Sequence, residues 1–288
     1  MASVVTDLTQ VSEQVAKYWK PEFENELYCQ AVLSSLLPKE TMPSAIKGDI
    51  IYVSEVGDLT GVLQNKSDCT FESEALNMSR VAIPCDKRAY AALKFCDIVE
   101  LQTSLSLTNA QVRTAMARGV THQINTHLYT TVVCNNEIAS TPNLDADVLT
   151  TLTKQADDLC WPSQGRTLIV DSCYKKDLLD SAILTNSDFG ATDTPMINGV
   201  FVLQRYGWNI VFDFTDPIKT SLNAGAPGVG LAFVDGFLLM AEGYQNRIKM
   251  SDAHATCEWA LNMTVDSIFG AAPGTSGADK CIVVKTGA

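Results

Sequence analysis

Apolar residues recur along this chain in three different patterns. Between residues 108 and 134, Val112, Met116, Val120, Ile124, Leu128 and Val132 are each four apart. That spacing predicts one helix of about 27 residues, roughly 40 Å long at 1.5 Å per residue. A four-residue step drifts about 40° against the 3.6 period, so the stripe winds slowly around the helix. Thr108 with Gln111 gives a capping-box start, and Asn135-Asn136 a stop.

Residues 48–96 read instead as a long hairpin-like excursion that alternates in part on its return. Gly48-Asp49 opens a strand, Ile50-Ile51-Tyr52-Val53, and Gly57-Asp58, Gly61 and Asn65 to Asp68 supply turn chemistry. Val81, Ile83, Cys85, Ala91, Leu93 and Phe95 mark the return, with Pro84 demoting its middle to an edge or bulge. A two-stranded ribbon of this kind has no core of its own and is marginal unless another surface covers it.

The third pattern is mixed. Residues 144–232 read as a compact α/β part. Helices are expected over Asp145–Cys160 and Tyr174–Leu184, and strands over Arg166–Val170, Gly199–Leu203 and Asn209–Phe214. Strands Leu231–Phe233, Phe237–Ala241, Glu258–Val265 and Lys280–Lys285 follow. Residues 1–47 read as an arm with one short helix after Pro21, stopped by Leu36-Leu37-Pro38. So short a helix must dock on something.

Composition narrows the function. The 288 residues are 46% hydrophobic and 19% charged, which is a globular composition. The net charge of −12 argues against a surface that coats duplex DNA. The longest apolar run, Gly228–Ala241, is broken by Asp235, so no membrane span is expected. Met1–Gln10 carries Asp7 and no basic stretch, unlike a signal peptide. Nine cysteines occur with no C-x-x-C, and His122, His127 and His254 are the only histidines. No phosphate loop, H-E-x-x-H or G-x-S-x-G is present. Gly225 to Gly230 precedes a strand and contains Pro227, so it is not a nucleotide loop. Asp145/Asp147 and Asp157-Asp158 read as a helix start and a solvated helix face. No catalytic, cofactor-binding or metal residue is assigned, no cofactor is expected, and the chain reads as a non-enzyme.

The order of the segments, with several short stretches, resembles the major capsid protein of tailed bacteriophages, the HK97 fold. Trp19-Lys20-Pro21-Glu22-Phe23 is similar to the family's arm. Ile46 to Val53 is similar to its entry into the extended loop. Arg166 to Asp171 with Asp177-Leu178-Leu179 resembles its axial-domain strand and helix, and Asn198 to Val211 its strand pair.

The resemblance implies an α+β fold: arm 1–47, extended β-hairpin loop 48–96, peripheral domain with spine helix 97–143, axial domain 144–232, and peripheral C-terminal strands 233–288. It implies a shell of pentamers and hexamers of this chain around double-stranded DNA, held without sequence-specific contacts. The site would be the virion, after the host cytoplasm, with no membrane. A portal and a cement protein are further expected partners. Trp19-Lys20-Pro21 comes too early for a long scaffolding segment, so a separate scaffolding protein is expected. Cys29, Cys69 and Cys281 lie in segments that would cross subunit boundaries, and are the candidates for intersubunit disulfides; Lys66 is the candidate for a loop cross-link. The competing readings are an encapsulin-like cargo shell and a soluble α/β enzyme with a pocket.

Overall fold

A computed structural model describes residues 32–41, 50–56, 75, 78–96, 110–140, 143–180, 203–223, 228–252 and 260–286. Its longest helix is α2 (Ala110–Thr131), preceded by the five-residue α1 (Val32–Leu36). The four-residue stripe is the reason α2 exists. Met116, Val120, Ile124 and Leu128 are all buried, and Val112 and Val132 pack against the same cluster. Thr108 lies outside the described residues. Leu33 and Leu37 dock the end of the arm on this cluster, and Pro38 follows the helix as expected.

α2 lies against a four-stranded sheet of order β1-β10-β11-β4. These strands are β1 (Lys39–Thr41), β4 (Lys87–Cys96), β10 (Leu238–Asp252) and β11 (Ala260–Pro273). β1 runs parallel to β10, with Lys39 opposite Met240, and stitches the arm's end to the sheet. Both strands run beyond the expected Phe237–Ala241 and Glu258–Val265: β10 continues through polar positions such as Arg247 and Lys249, and β11 through the buried Asp266 and Ser267 to Pro273.

The ribbon is β2 (Ile50–Val56) paired antiparallel with β3 (Met78–Pro84), Ile50 opposite Pro84 and Val56 opposite Met78. Pro84 is where the chain changes partner. β4 pairs with β11 and belongs to the sheet over α2, not to the ribbon. The stretch 48–96, expected as one extended loop, thus contributes β2 and β3 to the ribbon and β4 to the sheet over α2.

A six-stranded sheet has the order β5-β12-β9-β6-β8-β7. It comprises β5 (Asn136–Ser140), β6 (Thr167–Val170), β7 (Leu203–Arg205), β8 (Trp208–Phe212), β9 (Val229–Phe233) and β12 (Cys281–Thr286). Helices α3 (Ala146–Asp158), α4 (Ser172–Asp180) and α5 (Asp216–Asn223) accompany it. Asp145 caps α3 by accepting from the Val148 N–H, and Asp157 accepts from the buried Arg166 Nη2 at 2.7 Å. Tyr206 and Gly207, at φ 51° and 81°, turn β7 into β8 in the manner of tight hairpins. Every residue of β9 is buried, as expected for a central strand covered on both faces.

β12, in the stretch expected as peripheral C-terminal strands, pairs with β9 and β5 inside the six-stranded sheet. Sequence order cannot choose between two sheets for a short apolar strand. β5 and α5 were not expected at all. Tyr129 of α2 ties the two parts together, its hydroxyl donating to the buried Asp213 Oδ2 at 2.6 Å. Burial, then the Asp213 charge and that hydrogen bond, hold the Tyr129 hydroxyl well above its ordinary pKa. Among the described residues no helix is long and apolar enough to cross a membrane.

Candidate intersubunit interface

The ribbon has two unlike faces because β residues alternate. Ile51, Val53, Val81 and Ile83 point toward the four-stranded sheet, where they pack with Cys85, Leu239, Ala241 and Ala272. This is the side opposite α2, whose own cluster takes Leu238, Met240 and Ala271 instead. The other ribbon face is exposed and largely apolar: Ile50 44%, Tyr52 62%, Val56 59% and Met78 57% accessible. Arg80, Ala82 and Pro84 share that face by register. A monomeric protein rarely leaves several large apolar side chains exposed on one strand pair.

Three features hold the ribbon in place. Glu55 accepts the Thr275 N–H at 3.0 Å, and the Ser79 and Thr275 hydroxyls share a hydrogen bond of 3.1 Å. Gly270 of β11 lets the chain cross closely. A Cβ there would overlap the Pro84 carbonyl oxygen and stand 2.7 Å from its carbon.

Beyond the ribbon, the same side of the sheet is basic. Ala89, Ala91 and Leu93 turn inward to the α2 cluster, which places Arg88, Tyr90 and Lys94 outward. Arg247 pairs with Asp266, which faces Tyr90, and Lys249 with Thr264, on the same side. Arg88 and Arg247 clamp the buried Asp266, with Nη2–Oδ2 distances of 2.7 and 2.6 Å. Burial opposes ionisation of Asp266, but the hydrogen bonds and charges of Arg247 and Arg88 outweigh it and hold the carboxyl below its ordinary value. Among the described residues the face therefore carries Arg88, Lys94, Arg247 and Lys249 against the charge-paired Asp266, on a chain of net charge −12. Sequence reasoning missed this patch, because its members come from β4, β10 and β11.

Of the candidate residues named from sequence, Cys29, Lys66 and Cys69 lie outside the described residues. Cys281 has no exposed surface, and its sulfur is bonded to that of Cys134 in the same chain. Among the described residues no group of three His, Cys, Asp or Glu side chains is placed to hold a metal. A surface cleft of about 560 Å³ brings Trp161, Asp235, Asp279 and Lys280 together but contains no histidine.

No family model matches the chain, and no curated protein does. Solved structures do. A chain from Mycobacterium phage Che8 superposes with a TM-score of 0.65 at 16% identity, over 88% of this chain and 91% of that one. The capsid structure of the cyanophage P-SCSP1u gives 0.65 at 14% identity, over 89% and 88%. A virus-like particle from Pyrococcus furiosus gives 0.56 at 10% identity, over 94% and 99%. The chain thus has the α+β fold of phage capsid proteins. That is the HK97-like fold, as its segment order implied.

Proposed function

We propose that this chain is the major capsid protein of a tailed bacteriophage. It self-assembles into an icosahedral head shell, through pentamers and hexamers, around double-stranded DNA. The observation that carries the reading is the ribbon: an exposed apolar strand face on a fold otherwise shared with capsid chains. Burying such a face against further copies removes it from water, and closed symmetry repeats the gain at every subunit. The net charge of −12 suits a wall that does not grip the duplex. A separate scaffolding protein, a portal and a cement protein are the expected partners, and the virion the expected site. The role is structural and needs no catalytic centre.

A second reading, a shell around protein cargo, takes its support from the likeness to the Pyrococcus furiosus virus-like particle. The test is sedimentation and negative-stain microscopy of the purified chain, with and without a co-expressed scaffolding candidate. Closed shells or uniform rings support the shell reading. Nuclease-protected DNA in particles from an infected host selects the phage reading, and protein cargo the second. A compact monomer at every concentration, scaffolding included, overturns both.

A further inference from the structure

Cys134 and Cys281 are 147 residues apart in sequence, yet their Cα atoms are 5.4 Å apart and their sulfurs are bonded. The surrounding fold holds both ends by other means. The Asn135 N–H donates to the Ala278 carbonyl at 3.0 Å, and Asn135 Nδ2 donates to Asp279 Oδ1 at 2.9 Å. Cys281 sits opposite Phe233 in the β9–β12 ladder, and the next residue, Ile282, opposite Asn136 in the β5–β12 pair. The thiols would therefore lie side by side even when reduced. They differ in access: Cys134 is half-buried, whereas Cys281 has no exposed surface. Thiol–disulfide exchange needs a thiolate that the reagent can touch.

We infer that Cys134 is a modification site for small-molecule disulfides such as glutathione disulfide, with Cys281 as its resolving thiol. The Cys134 thiolate attacks one sulfur of the reagent, the reagent's S–S bond breaks, and one small thiol leaves. Cys281 then gives up its proton and attacks the Cys134 sulfur, displacing the second small thiol. Two protein thiols have lost two protons and two electrons, and the reagent has been reduced to two thiols. The bond closes a loop of the chain that contains β6, β8 and β9, which restricts the unfolded state. The expected rise in the unfolding midpoint is roughly 5–10 °C. This inference does not rest on the shell reading, because it concerns one chain, assembled or not.

The test reduces the full chain, removes the reductant, adds glutathione disulfide and maps adducts by peptide mass spectrometry. The natural chain should end with the Cys134 and Cys281 peptides linked and no glutathione on either. Cys281→Ala should retain one glutathione on Cys134, and Cys134→Ser none at position 281. Brief alkylation of the reduced natural chain should label Cys134 well before Cys281, a readout that stands whatever the variants do to folding. Equal or reversed labelling rates would overturn the assignment. So would glutathione on Cys281 in Cys134→Ser, or Cys134 linked to a cysteine other than Cys281. Exposed Cys160 serves as the control for reagent access.

Discussion

β9 and β2 are both short, apolar strands, but the structure treats them in opposite ways. β9 reads V-G-L-A-F and every residue is buried. β2 reads I-I-Y-V-S-E-V and alternates, with no residue fully buried. β9 lies between β12 and β6, covered on both faces by its own chain. β2 has one strand partner, β3, and one covered face. The difference separates two uses of apolar surface. One stabilises the chain itself; the other, on the proposed function, is left for a second copy.

The sharpest way to break that contrast is to dislodge the ribbon from its own sheet. Gly270→Val places a side chain into the Pro84–Cys85 backbone, which has no flexible end to yield. The expected cost is about 3 kcal/mol or more, in the range of severe overpacking, read as a lowered midpoint in denaturant. Next comes the link between the two sheets. Tyr129→Phe removes the 2.6 Å hydrogen bond and leaves Asp213, among the described residues, the Thr215 N–H and Oγ1 as donors to its carboxylate. The expected cost is about 1.5–3 kcal/mol, since the acceptor is a buried carboxylate. It should appear as one cooperative loss, because α2 shares one buried cluster with Ile169, Leu231 and Phe233 of the six-stranded sheet.

The smallest effect is the pH response of the basic face. Asp266 has a folded pKa below its unfolded value of about 3.9. Its stabilising contribution is present above the unfolded value and is lost as pH falls through the lower folded one. Asp266→Asn should therefore lower stability at pH 7, where the carboxylate's contribution is present, and flatten the acid limb of the stability–pH profile below about pH 4. A profile that keeps the same acid slope would remove Asp266 from the account.

Much of the fold was legible because burial leaves a period. The α2 stripe is buried on one side along most of its length, so four-residue spacing survives in the sequence. The ribbon was legible as alternation with turn residues at its far end. What was hidden depends on pairings distant in sequence. β12 could have joined either sheet, and only its ladder with Phe233 to Val229 decides. The far end of β10 carries outward polar residues such as Arg247 and Lys249, which read as loop until paired. The candidate interface was half legible. Tyr52 belongs to the strand expected at Ile50 to Val53, whereas the exposure of Val56 follows only from the β2–β3 pairing and the basic face exists only once Arg88 and Arg247 meet at Asp266. Cys281 was picked for its position near the end of the chain; its partner, Cys134, lies too far away in sequence to be inferred.

The central claim is that the outer ribbon face serves other copies and not the chain that carries it. The direct measurement is the double variant Tyr52→Ser/Val56→Ser, compared with the natural chain by thermal unfolding and by sedimentation under assembling conditions. Exposed substitutions of this kind change stability by about 0.5 kcal/mol or less. The account predicts an unchanged unfolding midpoint together with the loss of large particles. Particles at the natural yield, or a variant that unfolds, would contradict it.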